Sequence, residues 1–274
     1  MVDEKIKSMK LYNFIDRIFN ELKELGKFEN GNLSIKELEP FDQLHYHGTE
    51  AIDFAIEKFN INKNSNVLEI GSGVGGPSRY LAYKTGANVI ALELQKDHHE
   101  IGIELTKRCG LEKNVTHLCG DFLEYDFEDQ KFDLVASWLT LYHIPKRELL
   151  LKNCMKLLND NGYFFAEDFA YHKPFSQLEL DELSSDFFAN YIVSYDDYKD
   201  DLVNTGFNEV RVEDVSLSWK KFTKDRFDMY YNNLERHIRV HNHEIVGNML
   251  DFYSFAMRYL AVGKLGGIRV SAKK

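Results

Sequence analysis

The spacing of apolar residues changes from a helical to a strand-like pattern near residue 65. Before that point, apolar side chains at 11–25 recur at three- and four-residue steps, which predicts an amphipathic helix. Beyond it, short apolar runs alternate with helical stretches, the pattern of a parallel sheet covered by helices. Five runs are predicted as strands, at residues 66–70, 88–92, 115–119, 132–137 and 162–168.

The later part of the chain extends this sheet. A helix at 195–204 precedes a sixth strand at 209–215, and the closing GGIRVSAKK would supply the seventh. The helical stretch 223–262 is too long for an ordinary connection. We therefore predict an α/β fold: a doubly wound, seven-stranded, Rossmann-like sheet with a helical cap formed by the N-terminal helix and this insertion. The predicted parts are an N-terminal helical lid (1–40), a core (41–222 and 263–274) and a cap insertion (223–262).

Composition restricts the function classes. The 274 residues suit one large domain, and a net charge of −10 without a long basic run disfavours a nucleic-acid partner. No segment approaches about 18 unbroken apolar residues, so no membrane insertion is expected. The three cysteines have no CxxC spacing, which argues against a disulfide framework and a zinc finger. We expect a soluble protein of the reducing cytoplasm. Nothing in the sequence indicates its oligomeric state.

A glycine-rich loop follows the first predicted strand. In VLEIGSGVGGPSRYLA, Gly71, Gly73 and Gly76 have the spacing of dinucleotide-binding loops, which many nucleotide-binding folds share. Glu69 lies beside this loop, where its charge would repel a pyrophosphate and favour a positively charged cofactor. The loop and the carboxylate together favour a cationic cofactor over NAD.

Acidic residues also follow the next two strands. Glu93 ends the second strand, where a carboxylate can accept hydrogen bonds from both ribose hydroxyls of a nucleoside. After the third strand, Asp121 is positioned to accept the exocyclic amine of adenine, and Phe122 offers a ring face. Three acidic residues at three consecutive strand ends therefore predict a site for an adenosine-bearing ligand.

In these motifs the sequence resembles the class I S-adenosylmethionine-dependent methyltransferases. VLEIGSGVGG looks like their first motif, GDF like their adenine motif and FDLVASWLTLYHI like their fourth motif. The loop and the aromatic insertion are also similar to small-molecule subfamilies, namely phosphoethanolamine, sarcosine and dimethylglycine N-methyltransferases and sterol and tocopherol C-methyltransferases. The resemblance implies S-adenosylmethionine as cofactor and no metal. It implies cofactor contacts from Gln43, Glu69, Gly71, Ser72, Gly73, Glu93, Leu94, Gln95, Asp121, Phe122, Ser137 and Trp138.

Methyl transfer from a sulfonium needs alignment and exclusion of water, and an amine acceptor must also lose a proton. His143, after the fourth strand, is the first candidate for the proton acceptor, and it resembles a histidine of phosphoethanolamine methyltransferases. The alternative is a surface histidine that caps the next helix. Leu139 stands where that subfamily has an acidic residue, which argues against phosphoethanolamine itself as the acceptor.

The segment FDQLHYHGTEA, residues 41–51, invites a metal interpretation because His45 and His47 would face the same way in an extended chain. No carboxylate or third histidine accompanies them, so we favour a lid over the cofactor. Similar segments in sterol and phosphoethanolamine methyltransferases suggest that Gln43, His45 and Tyr46 contact the cofactor's carboxylate end or the acceptor. The alternative is that His45 and Tyr46 only pack and satisfy buried backbone groups.

The remaining histidines have structural interpretations. His98 and His99 begin a helix and are expected to be solvated. His237 and His241 share a helical face but lack an associated carboxylate motif, so a structural role is favoured. The aromatic residues of the insertion are predicted to be core. If some face the site, they would cradle a cationic amine by cation–π attraction.

Taken together, the sequence predicts S-adenosylmethionine-dependent methyl transfer to a small-molecule acceptor, with an amine nitrogen favoured. His143, Tyr46 and His45 are the predicted acceptor-facing residues. The alternatives are a C- or O-methyltransferase acting on a sterol-like or other natural product, an NAD-dependent oxidoreductase, and a non-catalytic protein that retains the cofactor fold.

Overall fold

The computed structural model of the protein describes residues 16–28 and 31–274, and the beginning of the predicted N-terminal helix lies outside this range. Its sheet has the strand order β3-β2-β1-β4-β5-β8-β7, with β8 antiparallel to both neighbours. The strands are β1 (Asn66–Ile70), β2 (Asn88–Glu93), β3 (Val115–Cys119), β4 (Phe132–Trp138), β5 (Leu158–Tyr171), β6 (Val193–Ser194), β7 (Asn208–Asp214) and β8 (Leu265–Lys273).

The helices described lie between these strands and in a layer beyond them. They are α1 (Asp16–Glu24), α2 (Ile35–Asp42), α3 (Thr49–Phe59), α4 (Gly76–Thr85), α5 (Lys96–Arg108), α6 (Arg147–Leu157), α7 (Gln177–Asp186), α8 (Tyr195–Thr205), α9 (Ser216–Asn232), α10 (Leu234–His241) and α11 (His243–Ala261). A short 3₁₀ turn, Leu141–His143, follows β4. Within the described residues, no helix combines the length and apolar character needed to cross a bilayer.

The predicted α/β class and doubly wound sheet are confirmed, and all seven predicted strands are present. The structure adds β6, a two-residue strand that pairs with the end of β5. The stretch 223–262, predicted to be helical, is divided by two breaks into the helices α9, α10 and α11. The second break falls at Asn242, whose φ is +88° and whose side chain accepts the backbone N–H of Ile245 to cap α11. The division into lid, core and cap stays a prediction.

The central strands are apolar on both faces, as parallel strands covered by helices require. In β1, the four residues from Val67 to Ile70 are buried, and one of them is the acidic Glu69. The β1 strand pairs with β2 on one side and β4 on the other, so the direction of strand order reverses beside it. Ligands of open α/β sheets bind at such a reversal, beyond the carboxyl ends of the strands.

A buried ion pair fastens the end of α2 to the start of α4. Asp42 and Arg79 are 3% and 0% exposed, and an Arg79 Nη2 atom lies 2.9 Å from Asp42 Oδ2. The other guanidinium nitrogen donates to the Val74 carbonyl at 2.6 Å. Because α4 starts at the glycine loop, this pair fixes the segment 41–47 against that loop.

Replacing Asp42 by Asn is expected to lower the free energy of unfolding by about 3–5 kcal/mol, because the buried Arg79 guanidinium loses its counter-charge. Urea unfolding at pH 7 measures the change. Asp225→Asn is the matched control, since its ion pair with Lys221 lies on the surface and should change stability by less than about 1 kcal/mol. Equal effects of the two substitutions would contradict the anchoring role.

Candidate functional site

The carboxyl ends of β1 to β4 surround a cavity of about 180 Å³. The register places Glu69 beside Ala91 and Glu93 beside Cys119, so the ends of neighbouring strands lie at one edge of the sheet. Twelve of the fifteen predicted site residues line this cavity, which we term the cofactor cavity. They are His45, Glu69, Gly71, Ser72, Gly73, Glu93, Leu94, Gln95, Asp121, Phe122, Trp138 and His143.

Glu69 is 2% exposed, and its carboxylate accepts a hydrogen bond from the Ser78 hydroxyl at the start of α4. Burial raises the pKa of Glu69 to about 8, although the Ser78 hydrogen bond and the Arg79 charge oppose the shift. Burial therefore favours the protonated form of Glu69 in the ligand-free protein. A cation bound beside it would favour the ionised form, so attraction of a positive ligand is coupled to release of this proton.

Glu93 binds the glycine loop through backbone groups. Its Oε2 accepts the N–H of Gly73 and its Oε1 accepts the N–H of Gln95, each at 2.8 Å. Burial raises the pKa of Glu93, and these N–H donors oppose the shift. A carboxylate oxygen has two acceptor directions, so each oxygen retains capacity for a ribose hydroxyl. The predicted ribose contact is compatible with this geometry and stays a prediction.

The glycine loop is shaped by close neighbours from this chain. Gly71 has a φ of +69°, and a Cβ there would lie 2.1 Å from the Thr140 side chain. The Thr140 hydroxyl donates to the Gly71 carbonyl at 3.2 Å. At Gly76, a Cβ would lie 2.3 Å from the Asp42 carbonyl oxygen. Glycine is therefore required at these positions because the end of α2 and the turn that follows β4 pack directly on the loop. We call that turn, which contains Leu139 and Thr140, the β4 turn.

Three polar atoms of the cofactor cavity's residues are buried without a hydrogen-bond partner among the described residues. They are Ser72 Oγ, Gln95 Nε2 and Trp138 Nε1. Buried polar groups are normally paired, so these atoms indicate a polar ligand. Two nitrogen donors and one hydroxyl beside acidic strand ends fit a ligand that carries a carboxylate, hydroxyls and a positive centre. The donor set is therefore compatible with S-adenosylmethionine.

A second cavity, of about 550 Å³, lies next to the first, and we term it the acceptor cavity. The two cavities share lining residues from the segment 41–47, the β4 turn and the start of α5. Aromatic rings form a large part of the acceptor cavity's remaining wall. The shared residues are Leu44, His45, His98, Leu139 and His143, and the rings include Tyr46, Tyr142, Phe169, Phe187, Phe222, Tyr230, Phe252, Tyr253 and Phe255.

His143 is 5% exposed, and its Nδ1 lies 3.0 Å from the Phe188 carbonyl oxygen. Because a carbonyl only accepts, Nδ1 carries the hydrogen and Nε2 is left as the basic nitrogen of the neutral ring. Burial lowers the pKa of His143 to about 4. The surface-cap alternative is thus wrong on burial, since the ring is inside the protein and contacts both cavities.

His45 also has a fixed tautomer. Its Nε2 lies 2.9 Å from the Gly48 carbonyl oxygen, so Nε2 carries the hydrogen and Nδ1 is the basic nitrogen. Burial lowers the pKa of His45 to about 4. The segment turns here instead of running extended, and His47 Nε2 lies 2.6 Å from the Ser218 hydroxyl. The two histidines therefore have different partners and do not converge on one ion.

The other three predicted site residues lie outside the lining of the cofactor cavity. Gln43 and Tyr46 line the acceptor cavity, where Tyr46 stacks on Trp219 with ring centroids 3.9 Å apart. The Gln43 amide donates to Asp42, and its oxygen is buried without a partner in the part of the chain that the structure describes. The Ser137 hydroxyl donates to the Ile70 carbonyl at 3.0 Å and joins β4 to β1.

One expectation about the histidines is wrong. His98 is 2% exposed and lines both cavities, because α5 begins shortly after β2 ends and His98 lies on the inward side of its first turn. Thr140 and Ser78 also position the site and were not predicted. The position of Ser78 could have been predicted from the sequence, because a residue in the first helical turn after the glycine loop lies close to the end of β1.

Comparisons with known proteins agree with this architecture. Residues 68–166 match the family described as a methyltransferase domain. A sarcosine/dimethylglycine N-methyltransferase of Halorhodospira halochloris is 26% identical over 196 residues, which is 70% of each chain. A sterol 24-C-methyltransferase of Yarrowia lipolytica is 35% identical over 107 residues, 39% of this chain and only 28% of that protein.

Solved structures share the fold. The Haemonchus contortus phosphoethanolamine N-methyltransferase 2, with phosphomonomethylethanolamine and S-adenosylhomocysteine bound, superposes with a TM-score of 0.80 at 18% identity, over 93% of this chain and 60% of that one. A sarcosine dimethylglycine methyltransferase from Galdieria sulphuraria, described as putative, gives 0.70 at 18% identity, over 82% and 83%. At these identities, the likeness confirms the predicted Rossmann-like methyltransferase fold alone.

The raised pKa of Glu69 predicts a pH dependence of stability. The ordinary pKa is 4.5 and the folded value is about 8, so the folded protein binds more protons between these values. Above about pH 6.5, where the buried histidines are neutral in both the folded and the unfolded protein, the free energy of unfolding should therefore fall as pH rises to about 8. In Glu69→Gln this fall should be smaller, with a remainder from Asp168, whose pKa burial raises to about 7. Urea unfolding at four pH values in this range measures it.

Glu235→Gln is the control, because Glu235 is exposed and should leave the whole pH dependence in place. A slope in Glu69→Gln equal to that of the parent would mean that Glu69 ionises normally in the folded protein.

Proposed function

We propose that this chain, a methyltransferase of the S-adenosylmethionine-dependent class as its matched domain and relatives indicate, methylates an amine nitrogen of a small-molecule acceptor. The observation that carries the proposal is the junction of the two cavities. His45, His98 and His143 line both of them, so a donor in one and an acceptor in the other would meet at these rings.

The cofactor cavity supplies the groups that we assign to S-adenosylmethionine. This cofactor provides a methyl carbon on a positively charged sulfur, which a nucleophile displaces in line. We assign Glu93 to the ribose hydroxyls, Asp121 and Phe122 to the adenine, and the loop from Gly71 to Gly73 to the amino-acid end. The buried polar atoms of Ser72 and Gln95, which lack partners among the described residues, support this assignment. No step of the proposal requires a metal.

We assign His143 as the residue that accepts the proton of the acceptor amine. Its hydrogen bond to Phe188 leaves Nε2 as an acceptor, and its lowered pKa keeps the ring neutral at physiological pH. The neutral Nε2 atom of His143 can accept a hydrogen bond from the N–H group of the amine substrate. This contact would orient the amine or take its proton as the new bond to carbon forms. His45, with Nδ1 as its basic nitrogen, supplies a second acceptor nearby.

The acceptor cavity favours a molecule with an apolar body. Its wall of aromatic rings offers faces that attract a cationic amine. The exposed carboxylates of Asp186 and Asp251, which line this cavity, also favour a positively charged acceptor. The positively charged side chains of Arg17 and Arg226 line it too and suit an acceptor that also carries an anionic group. Tyr46 belongs to this wall through its stacking on Trp219.

A second candidate is C- or O-methylation of a sterol-like or other natural product. The volume of about 550 Å³ and the aromatic lining support it, because pockets of this size bury drug-sized ligands. The sequence similarity to a sterol 24-C-methyltransferase supports it too. A carbon acceptor has no N–H for His143 to accept, whereas a hydroxyl acceptor has an O–H, so only C-methylation differs from N-methylation in its need for this contact. A cytoplasmic location stays a prediction from the cysteine content.

The proposal is tested with S-adenosylmethionine labelled in its methyl group. The protein is incubated with a panel of secondary and tertiary amines, amino-acid derivatives, phosphobases, sterols and phenols, and labelled products are identified by mass. Label on nitrogen is the expected result. Label only on carbon or oxygen would replace the proposal by its alternative, and binding of NAD without binding of S-adenosylhomocysteine would reject both.

His143→Gln is expected to lower kcat on an amine acceptor by up to about 10²-fold, the lower end of the usual contribution of a positioned proton acceptor, because the lowered pKa of His143 makes it a weak base, while affinity for S-adenosylhomocysteine stays unchanged. In the parent, the loss of kcat at low pH that reflects His143 should fall near pH 4, where its lowered pKa lies, and not near 6.5. Steady-state rates from pH 4 to 9 measure both. His172→Gln, outside both cavities, is the control; an unchanged kcat in His143→Gln would remove this residue from the chemistry.

A further inference from the structure

Two histidines and a glutamate meet where the N-terminal helix contacts the cap. Glu21 of α1 and His237 and His241 of α10 are 9%, 7% and 3% exposed. One oxygen or nitrogen atom from each lies within 4.8 Å of the other two. Within residues 16–28 and 31–274, this is the one group of three such side chains that converges closely enough to hold an ion. The sequence near His237 and His241 offers no carboxylate motif, and Glu21 of α1, more than 200 residues earlier in the chain, supplies the carboxylate instead.

The helix geometry explains the convergence. His237 and His241 are one turn apart, so their rings lie on the same face of α10, nearly parallel at 11° and 6.2 Å apart. Tyr230 stacks on His237 at 4.3 Å and holds that ring in place. The His241 Nε2 atom lies 2.9 Å from Glu21 Oε1. Two ring nitrogens and a carboxylate oxygen are therefore arranged around one point before any ion enters.

The neighbouring contacts distinguish this cluster from a simple ionic link between helices. Such a link exists one turn away, where Arg239 donates to both oxygens of Glu24 at 2.7 and 2.8 Å. The His237 and His241 rings add two more nitrogen-bearing groups that this link does not require. His241 Nδ1 is buried without a hydrogen-bond partner in the described residues, so it can carry the ring hydrogen when Nε2 binds an ion.

Arg236 is the group that opposes a cation here. It donates to both oxygens of Glu21, at 3.0 Å to Oε1 and 2.7 Å to Oε2. A carboxylate that binds a metal through one oxygen commonly accepts an outer hydrogen bond on the other. Oε1 also faces His241 Nε2 at 2.9 Å, so an ion bound between them would replace the His241 hydrogen and the longer Arg236 contact, while the shorter contact to Oε2 could remain. The Arg236 charge lowers the affinity and leaves the site to strongly binding transition metals.

We propose that Glu21, His237 and His241 form a binding site for Zn²⁺ that fastens α1 to α10. Two imidazole nitrogens and one carboxylate oxygen are a donor set that zinc accepts, with a fourth position left for water. The site lies apart from the cofactor cavity, but α1 also contributes Arg17 and Ile18 to the acceptor cavity. Zinc would thereby hold α1 over the acceptor cavity. The proposal does not depend on the reaction that the protein catalyses.

The test is calorimetric titration of the full chain with Zn²⁺ after dialysis against a chelator, on the parent, Glu21→Gln, His237→Ala and His241→Ala. His243→Ala is the matched control, because His243 is exposed two residues beyond the site. The parent and the control should bind one equivalent. Each of the three site variants should bind it more than about tenfold more weakly, since loss of even an outer-shell partner costs about 10–100-fold.

Two further measurements separate loss of the site from loss of the fold. The thermal midpoint of each variant is recorded with chelator and with Zn²⁺, and only the parent and His243→Ala should gain stability with the metal. With Co²⁺ in place of Zn²⁺, the parent should show the visible absorption of a low-coordinate site. No binding by the parent, or equal binding and equal thermal shifts in folded Glu21→Gln and parent, would overturn the proposal.

Discussion

The fold depends on placing carboxylates inside the protein at the ends of parallel strands. Glu69 and Glu93 are 2% and 7% exposed, and burial raises the pKa of each. The chain meets the cost with specific donors: the Ser78 hydroxyl for Glu69 and two backbone N–H groups for Glu93. The same donors fix the glycine loop and the start of α4. An acidic cavity and an ordered loop are therefore one structural feature, and a positive ligand would favour the ionised form of its buried carboxyl groups.

The second cavity follows from how this loop is covered. Gly76 lies against the Asp42 carbonyl, and the ion pair of Asp42 with Arg79 holds the segment 41–47 in place. That segment brings His45 into the lining of both cavities, together with His143, which follows β4. The acidic cavity, the histidines and the aromatic wall thus lie in sequence from the sheet outward. This order is compatible with the proposed transfer between a cationic donor and an acceptor with an apolar body.

Local patterns predicted much of this arrangement, and long-range contacts were missed. Glu69, Glu93 and Asp121 were found because strand ends and glycine turns are readable from a few neighbouring residues. The Asp42 ion pair joins residues 37 apart, and Glu21 reaches His241 across 220 residues, so no local pattern marks either. Burial of His98 was missed because its helix starts near a strand end, where one side of the first turn faces the cavity while Lys96 and Asp97 face solvent.

The most direct test of the central claim is calorimetric titration of S-adenosylhomocysteine into the parent and Glu93→Ala. The account predicts binding by the parent and an affinity lower by about 1–3 kcal/mol in the variant, the effect of removing a charged hydrogen-bond partner. Glu100→Ala, on the exposed side of α5, should bind as the parent does. Equal affinity in Glu93→Ala and the parent would contradict the account, because the acidic strand ends would then not hold the nucleoside.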